Sequence, residues 1–252
     1  MRSLFFVLPL ALFACKPTAE KEKDKGTPAE TTAAEAPVLG AFTAILGDGP
    51  ADIDVTVGKP QTIATTCSDG RSDRVKMHVE ASKLTISSPA NSKCKITLST
   101  PSLVAVEAVA SGNFNLHGKA ALTSITVNGS GDVDVETLET DRLSVKVSSS
   151  GDVRVHSLKA TATTVAMLGS GDLELAGSTT SLDAKVVGSS TVKASTLVAE
   201  TVKLEVTGSG SASVDATKKA DVAVTGSGSA KVSGNPAERT KKLVGSGALT
   251  FE

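Results

Sequence analysis

The sequence predicts an all-β chain, a parallel β-helix of about eight coils entered through an irregular β-rich N-terminal cap. A recurring phrase, strict apolar alternation on both sides of it, and a composition suited to strands carry that expectation. The phrase is Gly-Ser-Gly followed by an apolar–polar–apolar triplet. It reads ASGNFNL at 110–116, GSGDVDV at 129–135, SSGDVRV at 149–155 and GSGDLEL at 169–175. Looser copies follow as GSSTVKA at 188–194, GSGSASV at 208–214, GSGSAKV at 226–232 and GSGALTF at 245–251. The third residue of each phrase is a marker: Gly112, Gly131, Gly151, Gly171, Ser190, Gly210, Gly228 and Gly247, at steps of 19, 20, 20, 19, 20, 18 and 19 residues. A fixed period of this size is the signature of stacked coils, each of which buries its inner face only against its neighbours.

Within each coil, the positions two and four after the marker are apolar throughout. Val133, Val153, Leu173 and Val192 represent the first row, and Val135, Val155, Leu175 and Ala194 the second. Polar or small residues separate them, as in a strand with one buried face. A second strand precedes the marker, with Ile125, Val145, Val165 and Ala184 six residues upstream and Val127, Val147, Met167 and Val186 four upstream. Eight upstream, Val104, Leu143, Leu182, Val202 and Ala220 extend the same face, with Thr123 and Thr163 as weaker members. Leu138, Leu158 and Leu197 suggest a third, shorter side. The last coil breaks the pattern at Arg239 and Lys241, as expected where stacking ends. A helical alternative fails, because units rich in Val, Thr, Ser and Gly lack any stripe of 3.6-residue period. Gly-Ser-Gly is read as the turn between strands, where positive φ or close backbone approach favours glycine.

Residues 38–100 are β-rich but off-period. Alternation at Ile53 to Val57, Val75 to Val79, Leu84 to Ile86 and Ile96 to Leu98, with a turn at Asp69-Gly70, reads as an irregular N-terminal part covering one end of the stack. Residues 101–252 form the regular body. In this reading, His78 is a solvent-facing strand residue between Met77 and Val79.

The first 37 residues fall outside that domain. Met1-Arg2-Ser3 and the apolar run 4–14 have the form of an export signal, too short to span a bilayer. Leu12-Phe13-Ala14-Cys15 resembles a bacterial lipobox, which implies cleavage after residue 14 and lipid attachment at Cys15. The alternative is an ordinary signal peptide with an incidental cysteine. Residues 16–37 contain no Val, Ile, Leu or aromatic residue and read as a solvated tether. Its end-to-end distance as a flexible coil would be roughly 25 Å. Lys16, rather than an Asp after the cysteine, resembles the pattern of outer-membrane lipoproteins.

Net charge is −1, with no basic block and no interleaving of aromatic and basic residues, so nucleic acid is not an expected partner. With Cys15 assigned to lipid, Cys67 and Cys94 are expected to form a disulfide in an oxidising compartment, contributing on the order of 3 kcal/mol. Two unpaired thiols are the alternative, and two distant cysteines make a poor metal motif.

Taken together, the β-rich N-terminal stretch, the Thr-Pro-Ser-Leu step at Thr100 to Leu103 and the serial GSGD-V-x-V phrases resemble the head GIN domain of putative auto-transporter adhesins over about residues 40–252. The resemblance implies a right-handed parallel β-helix on the bacterial cell envelope, often as a lipoprotein. It carries no catalytic residues to transfer, and no cofactor is implied.

Chemistry is sought on the outward rows, where residues of successive coils stack about 4.8 Å apart. One row reads Asn113, Asp132, Asp152, Asp172, the next Asn115, Asp134, Arg154, Glu174, Lys193, and a third His117, Glu136, His156. The Asp132, Asp152, Asp172 file suits a hard cation such as calcium, and the His117, Glu136, His156 file a transition metal. The plainer reading is that Asp follows Gly in a turn and caps backbone amides, on an otherwise wet surface. No Gly-x-Ser-x-Gly elbow, phosphate loop or His-Glu-x-x-His motif occurs. With no Trp or Tyr, and three of six Phe within the leader, a sugar-stacking cleft is disfavoured. The expected function is a non-catalytic structural, adhesive or ligand-binding role on the envelope. The expected partners are the membrane, through the lipid, and an envelope protein or surface glycan. A carbohydrate-active enzyme on the same scaffold and a cation-dependent interaction module are the rivals.

Overall fold

The computed structural model describes residues 39–252 apart from Ser92. The expected signal peptide (1–14), the expected lipid-attachment residue Cys15 and the expected tether (16–37) lie outside the described residues. Seventeen strands pair into one continuous wound sheet.

In the regular body, β8 (Phe114–Ala120), β9 (Ser124–Val127) and β10 (Val133–Val147) lead into the long bent strands β11 (Val153–Met167), β12 (Asp172–Gly188), β13 (Thr191–Gly208) and β14 (Ser211–Gly226). The series closes with β15 (Ser229–Ser233), β16 (Glu238–Gly245) and β17 (Ala248–Phe251). Each coil pairs in parallel with the next. After the markers, Val133 aligns with Val153, Leu173, Val192, Ala212, Ala230 and Leu249, layer on layer. Before them, Ile125, Val145, Val165, Ala184, Leu204 and Val222 form a matching column. Both columns are buried. A slip of one residue would turn a whole column to solvent, and each valine so exposed costs about 1.5–3 kcal/mol. Alternation therefore determines register as well as strand type. Leu138, Leu158 and Leu197 are buried on the third side. The eight markers bound seven complete turns, one fewer than the eight coils read from the count of phrases.

Two turn devices share the Gly-Ser-Gly phrase. Its first glycine has positive φ at Gly188, Gly208, Gly226 and Gly245. Seven of the eight markers are glycine for a different reason, because each lies against a carbonyl of the coil before. A Cβ at Gly210 would sit 2.6 Å from the Ser190 oxygen and 2.9 Å from Val186 Cγ1.

The N-terminal region enters the stack out of order. β1 (Ala44–Asp48) and β2 (Asp52–Val57) make a layer directly on β7 (Ala105–Ala108) and β8. On the other side of that layer lie β5 (Lys83–Ser87) and β6 (Cys94–Thr100), again parallel. Beyond them, β3 (Thr62–Cys67) runs antiparallel to β6, and β4 (Lys76–Glu80) antiparallel to β5. The chain thus makes one layer, runs back across the end, and inserts a second layer beneath its own cap. Neighbours Ala44 and Ala105 are consequently 61 residues apart in sequence, which is why this region is off-period. The β4–β5 hairpin turns through Ala81 and Ser82, both with positive φ (47° and 62°), the geometry of a two-residue turn matched to strand twist. Cys67 and Cys94 face each other across β3 and β6 and are joined by a disulfide.

Two details differ from the row pattern. Val104 is 38 % exposed, and the buried residue of that corner is Leu103; Leu122 likewise replaces Thr123 one coil on. The bend there turns the chain one residue earlier than in later coils. β3 has no counterpart among the alternating segments read from the sequence, because its inward face, Ile63, Thr65 and Cys67, is interrupted by a threonine and holds one aliphatic residue.

Candidate functional site

The outward face of the strands following the markers carries a run of acidic side chains in its early coils, in an order set by coil stacking. In the first row a staircase is built. Asp52 Oδ1 accepts from the Asn113 N–H (3.1 Å), Asn113 Oδ1 from Asp132 (2.9 Å), Asp132 Oδ1 from Asp152 (3.0 Å) and Asp152 Oδ1 from Asp172 (2.8 Å). In later coils the equivalent amides of Thr191, Ser211, Ser229 and Ala248 donate instead to the marker carbonyl of the previous coil, at 3.0–3.3 Å. The same backbone donor is satisfied in two ways, by a side chain where Asp or Asn follows the marker and by the main chain where it does not. This is the turn-capping role of Asp, repeated along the axis. At the last acidic rung, Asp172 also receives Lys193 Nζ at 3.0 Å.

The second row alternates in sign. Lys95 pairs with Asp54 at 2.6 Å, and Arg154 lies between Asp134 (3.8 Å) and Glu174 (3.2 Å). Burial works to raise the Asp54 carboxyl, but the Lys95 ammonium and the Asn115 amide, 2.8 Å away, together hold it below its ordinary value. Lys95 and Lys193 are raised by their hydrogen bonds to Asp54 and Asp172. Arg154 is raised by its bond to Glu174.

The third row does not converge. Glu136 Oε2 accepts from the Gly118 N–H (2.9 Å), and His156 Nε2 turns to Asp134 (3.0–3.1 Å) in the adjacent row. A register shift between Val135 and Thr137 separates these positions from a straight column. His117, Glu136 and His156 are therefore not brought together. Each carboxylate in the Asp132, Asp152 file has one oxygen on the next coil's amide. Among the described residues, no group of three or more His, Cys, Asp or Glu side chains could hold a metal ion. His78 is exposed on β4, outside this face.

A separate concavity of about 870 Å³ runs across the third side, lined in part by Glu139, Thr140, Thr161, Thr180, Glu200 and Thr217. Both of its glutamates are engaged: Glu139 lies between Lys119 and Lys159 and is held below its ordinary pKa by their hydrogen bonds, while Glu200 takes Lys218 at 2.7 Å. Several hydroxyls bond to the coil before, Thr217 to the Ala199 carbonyl (3.2 Å) and Thr201 to that of Thr180 (3.4 Å). Such a surface offers a wet, evenly spaced set of hydroxyls and ion pairs rather than convergent groups of the kind that perform acid–base chemistry.

Sequence reasoning missed Asp52, Asp54 and Lys95 as members of this face. Asp52 and Asp54 stand beside Asn113 and Asn115 in space, 61 residues away in the chain, and the one available signal was the Asp52-Ile53-Asp54-Val55 alternation, which matches Asp132-Val133-Asp134-Val135.

Residues 41–236 match the family described as "Putative auto-transporter adhesin, head GIN domain". No curated protein matches the chain. Among solved structures, a putative adhesin of Bacteroides fragilis is 25 % identical with a TM-score of 0.65, covering 85 % of this chain and 94 % of its own. A putative adhesin of Parabacteroides distasonis is 24 % identical (TM-score 0.77), with the same coverage. A putative lipid binding protein of that organism is 23 % identical (TM-score 0.79), covering 86 % of this chain and 95 % of its own; these last two likenesses concern the fold.

Proposed function

We propose that this chain, which belongs to the family of putative auto-transporter adhesins with a head GIN domain, is a lipid-anchored envelope protein that works by binding or spacing and not by chemistry. One observation carries the reading. The Asp and Asn side chains that follow the markers hold each coil to the next, in the Asp52–Asn113–Asp132–Asp152–Asp172 staircase, and do not converge on a reacting centre. Membership of this family supports a location at the cell envelope or surface. The outer-membrane lipoprotein assignment rests on Cys15, Lys16 and the tether composition.

The geometry suits a display role. The Leu39 carbonyl accepts from Gln61 Nε2 (3.3 Å) just before β3, so the described residues begin at the capped end of the solenoid. Ten stacked layers at about 4.8 Å place β17 roughly 45 Å from that end. A rigid rod tethered at one end presents its side faces and its far end to partners, an envelope protein or a surface glycan.

Two measurements test this. Wild type and Cys15→Ser are fractionated after labelling with palmitate. The expected result is label and membrane sedimentation for wild type only, and unlabelled wild type would overturn the anchor. The domain 39–252, which contains the whole described core, is then immobilised and exposed to envelope fragments. Saturable retention, competed by free domain, is expected. Turnover of envelope polysaccharide by the domain would overturn the non-catalytic assignment.

A further inference from the structure

We propose that Arg239 and Lys241 form a basic plug that prevents a second copy of this chain from adding to the C-terminal end of the solenoid. The inward columns that end at β16 carry no charge before it: Leu143, Thr163, Leu182, Val202 and Ala220 in one, Val145, Val165, Ala184, Leu204 and Val222 in the other. There Arg239 takes the position below Ala220, and Lys241 the position below Val222. Both side chains are folded across the open end. Lys241 Nζ donates to the Leu249 carbonyl (2.8 Å), reaching from β16 to β17 across the end of the core. Arg239 donates to the Pro236 carbonyl (2.8 Å) and to Asn235, and its guanidinium lies over the Phe251 ring at 5.4 Å. Their aliphatic stems thereby cover apolar rows while their charges stay wet.

The end needs such a device. Every residue of β16 is exposed, including Leu243 at 41 % and Val244 at 50 %, and its outer edge pairs with no strand among the described residues. The parallel register of the seven turns would continue into any strand laid against it. An edge of this kind templates association, and an inward-pointing charge is an effective block. A docked strand would seal Arg239 and Lys241 inside the extended core. The nearby carboxylates are already taken on the outer surface, Glu238 by Lys219 (3.1 Å) and Glu252 by Lys231 (2.8 Å). The two cations would be buried without an opposite charge, and a few carbonyl contacts do not offset that cost. At the opposite end the chain solves the same problem differently, by running β3 and β4 antiparallel over the last layer.

The test compares the full chain, in a mild detergent that disperses a lipid anchor, with three paired variants by sedimentation velocity across a concentration series. Arg239→Val with Lys241→Val removes the plug. Arg239→Gln with Lys241→Met removes its charge while keeping side-chain length. Lys242→Val with Lys231→Val deletes two charges from outward positions of the last layers. The first two pairs are expected to raise the weight-average mass at least twofold, in a concentration-dependent way, where wild type and the outward pair show no change. Wild-type sedimentation of both inward pairs would overturn the proposal. So would equal association of the outward pair, which would trace the effect to net charge. Loss of the strand circular-dichroism signal in both inward pairs would also overturn it, since a guard is dispensable to the fold it guards.

Discussion

Ser190 stands at a marker position where the other seven coils have glycine, and its hydroxyl is fully buried without a hydrogen-bond partner. The coils around it show why this matters. A Cβ at Gly210 would meet the Ser190 oxygen at 2.6 Å, and one at Gly228 the Gly210 oxygen at 2.5 Å. Ser190 carries a real Cβ in that place, and the amide bond beside it, Thr191 N–H to the Gly171 carbonyl, is 3.3 Å against 3.0–3.1 Å in the next three coils. Leaving a buried hydroxyl unpaired costs about 1–3 kcal/mol. Replacing Ser190 by Gly removes that cost and the crowding, but loses about 0.5–1 kcal/mol to the greater freedom of the unfolded chain. The net is a gain of about 1 kcal/mol, which for a domain of this size is a rise in Tm of roughly 2–4 °C. Ser190→Ala keeps the Cβ and deletes only the hydroxyl, so it should recover the hydroxyl cost alone. Thermal and urea unfolding of wild type, Ser190→Gly and Ser190→Ala measure both. If Ser190→Ala proves less stable than wild type by more than about 0.5 kcal/mol, the hydroxyl has a partner and the reasoning is refuted.

Other consequences are equally measurable. Gly210→Ala should destabilise by about 1–3 kcal/mol in urea unfolding, because the new methyl meets backbone that cannot move without disturbing two coils. Asp152→Ala should cost about 1 kcal/mol by removing the acceptor for the Asp172 amide, while Asp152→Asn keeps an oxygen there and should match wild type in melting temperature. A melting temperature of wild type raised by millimolar calcium, and not that of Asp152→Asn, would instead mark the file as a cation site. Removing the disulfide as Cys67→Ala with Cys94→Ala should cost about 3.5 kcal/mol for a loop of 27 residues, with hydrogen exchange rising first in β3 and β6. The Asp54 carboxyl is depressed in the folded state, so its contribution is fully present above the ordinary value of 3.8 and is lost as pH falls through the lower folded value. Wild type should therefore lose more stability than Asp54→Asn between pH 5 and about pH 2; parallel losses would refute that linkage.

The amino-acid sequence by itself determined the repeating body. Val133, Val153 and Leu173 fall on one column because strand alternation has a period of two and coil length is nearly constant, and both are local properties that survive in one dimension. It also determined where glycine is required, although not that one glycine of the phrase answers to φ and the other to a neighbouring carbonyl. The acidic row was legible as a row, while its role was not. Whether Asp132 faces a cation or the Asp152 amide depends on an offset between coils that spacing alone does not specify. Tertiary structure alone decided the order of the N-terminal layers. Placing β1 between β5 and β7, and β2 between β6 and β8, joins residues about forty apart on one side and about sixty on the other, and no local pattern encodes which exposed edge a strand will choose. The same holds at the other end, where Arg239 and Lys241 read as broken rows in the sequence and become a closure only because the last coil has no neighbour to cover it.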